Sequence, residues 1–495
     1  MKKTILFLLS IFFASSLMSQ SYFTEALKYS ETFPFGTARS ASMGGAFGAL
    51  GGDMYSLSVN PAGLGVFRKS EFVFTPSYNL RNTSASYYGT TRDDFNNKFN
   101  INNLGFVTTI NSKNSDGLIG VNFGFAYNQL KNFSNNIAIE GNNFTSSLAD
   151  KFIDDAWGND PEILDPFGAR LAFDAYVIDT VEGTDFQYNT SVPFDINQRK
   201  TLETKGNMGE MAFSMGTNFN NILYLGASLT VTKLNYDEKT SHQEFDYQNL
   251  SNFNNFDYEY TFNTVGTGYG FKLGFIARPV EFLRFGAAFQ FPTVYTLSEE
   301  YNAYMYSQFD DGSSYSVYPT YSDGSLIDFG SFDYKLVTPF KTTGSLAFQF
   351  GKIGLLSVDA EYINYAKARL REPSYGYDFY NDNNDIQDAL DKVLNIRAGG
   401  EIRFDQISIR GGFAYFPSPY KSSELNKDAS HTNLTAGLGF REKNFFIDLG
   451  FIYSMHKEKY NLYHSYSEYY MAESDNIANL KQNNLHFLTT IGFRF

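Results

Sequence analysis

An all-β fold, a 14-stranded antiparallel transmembrane β-barrel with its N-terminal segment held as a hatch inside the lumen, is predicted by three features of this 495-residue sequence. Segments of roughly ten residues alternate apolar and polar side chains, the pattern of a wall with one face to lipid and one to the lumen. The connections between them alternate tight turns with long loops, as periplasmic turns and external loops do. The composition is 18% aromatic, with 51 Phe and 36 Tyr beside 41 Gly, and no proline-rich or charged linker divides it. Such residues suit pleated sheet, aromatic belts and tight turns, so one large domain is expected in place of several soluble ones. A soluble β-sandwich gives similar alternation but no reason for the regularity of the turns.

In chain order, residues 1–20 read as a signal peptide. Lys2 and Lys3 precede an apolar run from Ile5 to Phe13 and then small and polar residues. Residues 21–69 form the hatch. Its most telling stretch, Gly36 to Phe67, holds eight glycines and the turn signal Asn60-Pro61. Residues 70–495 form the barrel with long external loops. Strands are expected near 70–82, 101–111, 117–131, 206–219, 222–238, 258–278, 281–298, 334–350, 353–370, 393–404, 407–420, 431–441, 444–460 and 484–495. The last shows the pattern best: Leu485, Phe487, Ile491, Phe493 and Phe495 share one face, His486, Gly492 and Arg494 the other. The loop near 132–205 carries helical spacing over Ser146 to Ala156. The loop near 299–333 is rich in tyrosine, from Tyr301 to Tyr321, and reads equally as a ligand-collecting cap or a solvated surface.

The chain has no cysteine, which excludes disulfides, thiolate metal sites and thiol nucleophiles. Its net charge of −14, without a basic run, argues against nucleic acid as a partner. The five histidines show no metal-ligand spacing, and no nucleophile motif is present, so neither enzyme activity nor a metal or other cofactor is expected. The acidic run Asp382 to Asp388 lacks the glycine and terminal glutamate of a calcium loop and reads as an external loop.

The signal peptide, the Gly/Ala-rich hatch ending in Ser58-Val59-Asn60-Pro61-Ala62-Gly63-Leu64, about fourteen strands and the terminal phenylalanine together resemble the long-chain fatty acid (FadL/TodX) family of outer-membrane transporters. The resemblance implies a monomeric barrel in the outer membrane of a Gram-negative bacterium, surrounded by outer-membrane lipid. It also implies passive transport of hydrophobic or amphipathic small molecules of long-chain fatty acid type. Recognition by the barrel-assembly machinery through the Phe495 strand follows, as does lateral release through a gap beside the third strand. An alternative is a scaffold or shuttle barrel for exported proteins, since fold alone does not separate the two; a third reading, a water-filled porin, is at odds with a hatch.

The hatch or gate residues expected from this reading are Gly44, Gly45, Gly48, Gly51, Gly52, Asn60, Pro61, Ala62 and Gly63, with the glycines movable and Asn60-Pro61 the hinge. Gly117, Gly120 and Gly124 mark the possible lateral opening, because glycine inside a strand accompanies bulges; ordinary curvature explains them equally. Alternation points Arg284, Arg403, Arg410 and Arg494 into the lumen near periplasmic turns, where they anchor the hatch through carboxylates such as Asp53. Arg397 lies nearer mid-lumen. It is either a bidentate partner for a ligand carboxylate or the partner of Glu401.

Overall fold

In a computed structural model the described residues are 15–33, 35–112, 116–372, 377–463 and 476–495, with side chains from 23 onward. Of the expected signal peptide, residues 1–14 lie outside the described residues. The wall runs β1 (Glu71–Tyr87), β2 (Thr90–Asn111), β3 (Leu118–Asn132, continued by Asn135–Asn143), β4 (Ile196–Phe219), β5 (Leu223–Phe245), β6 (Phe253–Val280) and β7 (Leu283–Gln290, continued by Val294–Phe309). It goes on through β8 (Gly330–Val337 and Lys341–Phe350), β9 (Gly354–Asn364 and Arg369–Arg371), β10 (Lys392–Phe404), β11 (Ile407–Phe416), β12 (His431–Arg441), β13 (Phe445–Asn461) and β14 (Ile477–Arg494). Each pairs antiparallel with the next, and β1 meets β14 from Glu71↔Arg494 to Ser86↔Asn479, which closes a barrel of 14 strands.

Closure pairs the first strand with the last, so the sheet has no terminal edge strand, as a bilayer requires. The exterior is apolar around the circumference: Phe72, Phe106, Phe123, Phe213, Leu229, Phe285, Leu356, Ile409, Leu438, Leu449 and Phe487 all face outward. Inward positions on the same strands are polar, glycine or, as at Val73, Val107, Leu355, Ile452 and Leu488, apolar and packed on the N-terminal segment, so strand alternation has become two surfaces, one for lipid and one for a lumen. Among the described residues no helix is long and apolar enough to cross a membrane.

The strands are longer than the alternation predicts, because outside the lipid band polar residues stay in sheet. The stretch read as a loop between the first two strands is a hairpin that turns at Tyr88-Gly89, both at positive φ. The tyrosine-rich loop begins as an extension of β7 and pairs with a short strand, Ser314–Val317. Its rings pack on one another and on Phe167, as in Tyr301–Phe167 and Tyr304–Tyr318.

Over the mouth lies a cap. The helix expected over Ser146 to Ala156 runs Leu148–Ala156, capped by Ser147, which accepts from the Ala149 N–H while Asp150 accepts from the Ser147 N–H. Leu148, Phe152 and Ala156 pack with Tyr87, Ile137, Phe253, Met305 and Tyr463 in one cluster. A second helix corrects the reading of Asp382 to Asp388 as an external loop: Tyr380–Ala389 is helical. Its Ile386 and Ala389 are buried beside Leu27 of the N-terminal helix, Ser15–Ser30, so the charged run is the outer face of a packed element.

Candidate ligand chamber and plug

The segment from Phe35 to Phe67 fills the periplasmic half of the lumen, and almost every residue in it is buried. What lets it fit is glycine on the wall. A Cβ at Gly274 would lie 1.9 Å from Asn60 Oδ1, and one at Gly399 would lie 2.3 Å from the Met43 carbonyl. Gly226, Gly286, Gly412 and Gly437 meet the plug as closely. Backbone therefore lies against backbone around much of the circumference, which only residues without a side chain permit.

Polar side chains complete the seating. Asn60 Nδ2 donates to the carbonyls of Gly48 and Phe275, and Asn60 Oδ1 accepts from the Ala62 N–H, so Pro61 starts a 3-10 turn already capped. Lys272 on β6 donates to the Ser58 carbonyl and to Glu210 at 2.7 Å, and Ser58 donates to the same carboxylate. The Gly48 N–H donates to Asp359 at 3.0 Å. Gly44, Gly45, Gly51 and Gly52 have positive φ, and Gly63 packs against Gly51.

The arginine ring is arranged differently from expectation. Arg284 does reach the plug, donating to the Leu50 carbonyl at 2.6 Å. The main ionic contact has the opposite polarity: the plug supplies Arg39 and the wall supplies Glu401, which also takes Arg403 and Arg410. Arg403 and Arg410 therefore act on the plug only through Glu401, and Arg410 is held by Asp448 as well. Arg494 pairs with Glu71 across the closing seam of the barrel and not with the plug. Asp53 stays within the plug, accepting from Thr37 Oγ1 and the Tyr55 N–H. Arg397 faces Glu361 at 3.5 Å, not Glu401, which already serves three guanidiniums. Arg397 lines a cavity of about 30 Å³ with Glu210, Lys272, Lys341 and Glu361. That is room for water and not for a carboxylate head group.

Above this charged floor opens a chamber of about 290 Å³. One side, from β12, β13, β14 and β1, presents His431, His456, Glu458, Asn484, His486 and Arg81. The imidazoles of His431 and His456, cross-strand partners, stack at 3.7 Å, and His456 Nδ1 donates to the Ser430 carbonyl. The other side is Phe33, Phe35, Leu130, Phe133 and Tyr236, with Lys131 over the rings of Phe33 and Phe133. None of the chamber's polar side chains was singled out from sequence. Inward parity on the strands was the available signal, but it marks every inward residue alike and gives no height in the lumen.

Beside the chamber the wall loses its ladder. β2 and β3 pair from Asn111↔Gly120 to Asn103↔Asn128, and there the pairing ends although both strands run on. β3 bulges at Leu130, where its register against β4 slips between Gln129 and Lys131, and the Leu130 carbonyl accepts from the Phe33 N–H. Beyond that point side chains bridge the two strands: Gln129 donates to Asn100 at 3.5 Å, Asn96 to Asn136 at 3.1 Å, Asn136 to the Phe95 carbonyl at 3.3 Å, and Arg92 to Glu140. The glycines expected to mark an opening lie elsewhere. Gly120 sits at the laddered end with a second register slip between Leu118 and Gly120, Gly124 is cleared for Leu57 and Leu64 of the plug, and Gly117 is in the turn below.

No protein-family model and no curated protein sequence matches this chain. Its fold is similar to solved barrels. A FadL homologue from Pseudomonas aeruginosa superposes with a TM-score of 0.56 at 13% identity, over 94% of this chain and 99% of that one. The toluene transporter TodX from P. putida does so with a TM-score of 0.52 at 12% identity, over 93% and 99%. The chain thus has the fold of FadL- and TodX-type barrels.

Proposed function

We propose that this barrel lies in the outer membrane of a Gram-negative bacterium and moves hydrophobic or amphipathic small molecules across it passively, with exit or exchange through the side of the wall. The observation that carries the reading is the end of the β2–β3 ladder beside an internal chamber in a barrel whose lower half is plugged. A molecule in the chamber has a charged, tightly seated floor beneath it, which an apolar body crosses only at the cost of desolvating ions. Beside it lies an unladdered seam facing the lipid band. The shared fold with a FadL homologue and a toluene transporter supports the same reading.

In this account the plug stays seated during passage, because its contacts are backbone to backbone on many strands, and the moving parts are the seam and the cap. The protein works as a monomer, since the barrel closes on itself. Phe495, outward and stacked on Phe106, offers the terminal aromatic strand that barrel assembly recognises. The test pairs two measurements on the full chain. Uptake of a fluorescent fatty acid into cells expressing it is expected to exceed the empty-vector level, while planar bilayers show no steady ionic conductance. Steady conductance without ligand uptake makes it a porin and overturns the proposal.

A further inference from the structure

We propose that a basic patch on the outside of the wall, across β8, β9 and β10, holds an outer-leaflet lipid that bears more than one phosphate group. The inference needs only a barrel in the outer membrane and is independent of what passes through its lumen.

Height places the patch at the head groups. On β8 the outward apolar side chains run from Phe350 up to Phe340, a span that at the tilt of a membrane strand rises about 25 Å, the depth of the lipid band. The next outward positions on that strand are Val337 and Lys335, since Leu336 between them is buried inside. On β10 Lys392 stands one step above Leu394, which with its register partner Tyr362 is exposed on the lipid side. The cations thus begin where the apolar face ends.

Their pairing is what calls for an anion. Lys335 and Arg371 are register partners, two like charges on Cβ atoms about 5 Å apart, an arrangement that destabilises a strand pair unless a counter-charge lies over it. Arg369, on the same face as Arg371, is held in place by the carbonyls of Ala366 and Ala368 and by Gln387. Lys367, exposed in the 3-10 turn Tyr365–Lys367, and Lys392 complete the patch. Among the described residues none of the five has a carboxylate within 4 Å, so the neighbouring Asp333, Glu372 and Asp391 neutralise none of them directly. Elsewhere above the band the outer wall matches cation to acid: Lys205 pairs with Glu203 at 2.6 Å and faces Asp237, Lys239 pairs with Glu259 at 2.9 Å, and Arg92 pairs with Glu140 at 2.7 Å. The one other directly opposed pair of cations among the described strands, Lys457↔Lys481, stands at the same level, above the outward Met455 of β13. Guanidinium and ammonium groups grouped over an apolar face suit a ligand whose phosphates lie at the head-group level and whose acyl chains lie against the wall below. Five cations on three strands match several phosphates better than one.

The sequence has no cysteine, so a donor fluorophore on Ser331→Cys, an exposed β8 position above the patch, is the only label. The full chain is placed in phosphatidylcholine nanodiscs with acceptor-labelled bisphosphorylated lipid A, and energy transfer is read against unlabelled competitors. Unlabelled lipid A is expected to compete at the lowest concentration, phosphatidylglycerol to need about tenfold more, and fully dephosphorylated lipid A not to compete. Lys335→Gln with Arg371→Gln is expected to weaken retention by about tenfold to a hundredfold, the worth of a charge-assisted hydrogen bond. Lys205→Gln, at an acid-paired cation, is expected to change it by less than about twofold. Heat-modifiable migration on gels checks that each variant folds. Retention indifferent to the double variant, or weakened as much by Lys205→Gln, overturns the proposal. Competition by dephosphorylated lipid A would show that the acyl chains alone are held, and equal competition by phosphatidylglycerol or by inorganic phosphate that one phosphate suffices or that no lipid is needed; each of these overturns it too.

Discussion

The two halves of the lumen are held by opposite means. In the lower half the plug lies backbone against wall glycine, with buried ion pairs such as Arg39–Glu401 and Lys272–Glu210 fixing its height. In the upper half the chamber is bounded by side chains that bridge over distances up to 3.5 Å, and by a strand pair without a ladder. Close packing of backbone leaves no room for small adjustments, whereas side-chain bridges open singly. On the function proposed above, motion belongs in the seam and cap, with the plug as a fixed floor.

The largest effect that separates the halves is expected from a side chain added to the plug's seat. Gly274→Val puts branched carbon where Asn60 Oδ1 stands 1.9 Å from the Cβ position. Overpacking ordinarily costs about 1–3 kcal/mol, and the Asn60 amide in the way is itself held by the carbonyls of Gly48 and Phe275 and by the Ala62 N–H, so loss of the heat-resistant folded band or a continuously conducting barrel is expected. A valine variant that folds normally and stays non-conducting would show the plug to be loosely held.

Disulfide locks come next. Gly48→Cys with Ser345→Cys joins plug to wall, where the Cβ positions are 3.0 Å apart, close to disulfide reach. Asn100→Cys with Gln129→Cys closes the seam at its one mid-span bridge. Uptake is expected to survive the first lock and to fall to background with the second, each reversed by reductant. Abolished uptake in the plug-locked form would return the gate to the glycines of the hatch.

That the plug reads from sequence as a movable gate has a physical reason. Gly36 to Phe67 advertises its glycines, and glycine permits both motion and close contact. Which of the two applies depends on the opposing surface, here Gly226, Gly274, Gly286, Gly399, Gly412 and Gly437, each on a different strand. Within any one strand such a glycine is indistinguishable from curvature. The wall itself was legible because alternation and turn length act within a few residues, and the strand order of an antiparallel barrel is its sequence order. The opposite holds for Arg397. Its mid-lumen position was readable, but whether it meets a ligand depends on Glu361 across the strand pair and on Tyr55 of the plug, neither of which spacing reveals. Leu130 carries no bulge signature, so the end of the ladder lay hidden while Gly120 and Gly124 drew attention.

A smaller effect concerns the cap. Burial and the neighbouring Glu244 push the Asp150 carboxyl up to about 6, and burial pushes Asp165 to about 6 as well. An acid whose folded pKa lies above its unfolded value binds more protons when folded, so the folded cap gains stability as pH falls through 6 toward the unfolded value and loses it as pH rises. Amide exchange over Leu148–Ala156, corrected for its intrinsic pH dependence, is therefore expected to slow between pH 7 and pH 5. Asp150→Asn is expected to flatten part of that dependence. An unchanged profile in the variant would place the titration elsewhere.

The smallest effect is expected at the upper end of the seam, where Arg92 bridges to Glu140 at 2.7 Å with its side chain half exposed. Exposed ion pairs contribute about 0–1 kcal/mol, so Arg92→Ala is expected to leave global unfolding unchanged. It removes one of the few groups tying β2 to the continuation of β3 at Asn135–Asn143, so exchange in those amides is expected to quicken even so. Local loosening without global loss is the signature of a seam held by side chains. A drop in unfolding temperature comparable to that of a plug variant would instead mean that the upper wall is as tightly coupled as the floor, and the contrast between the two halves would disappear.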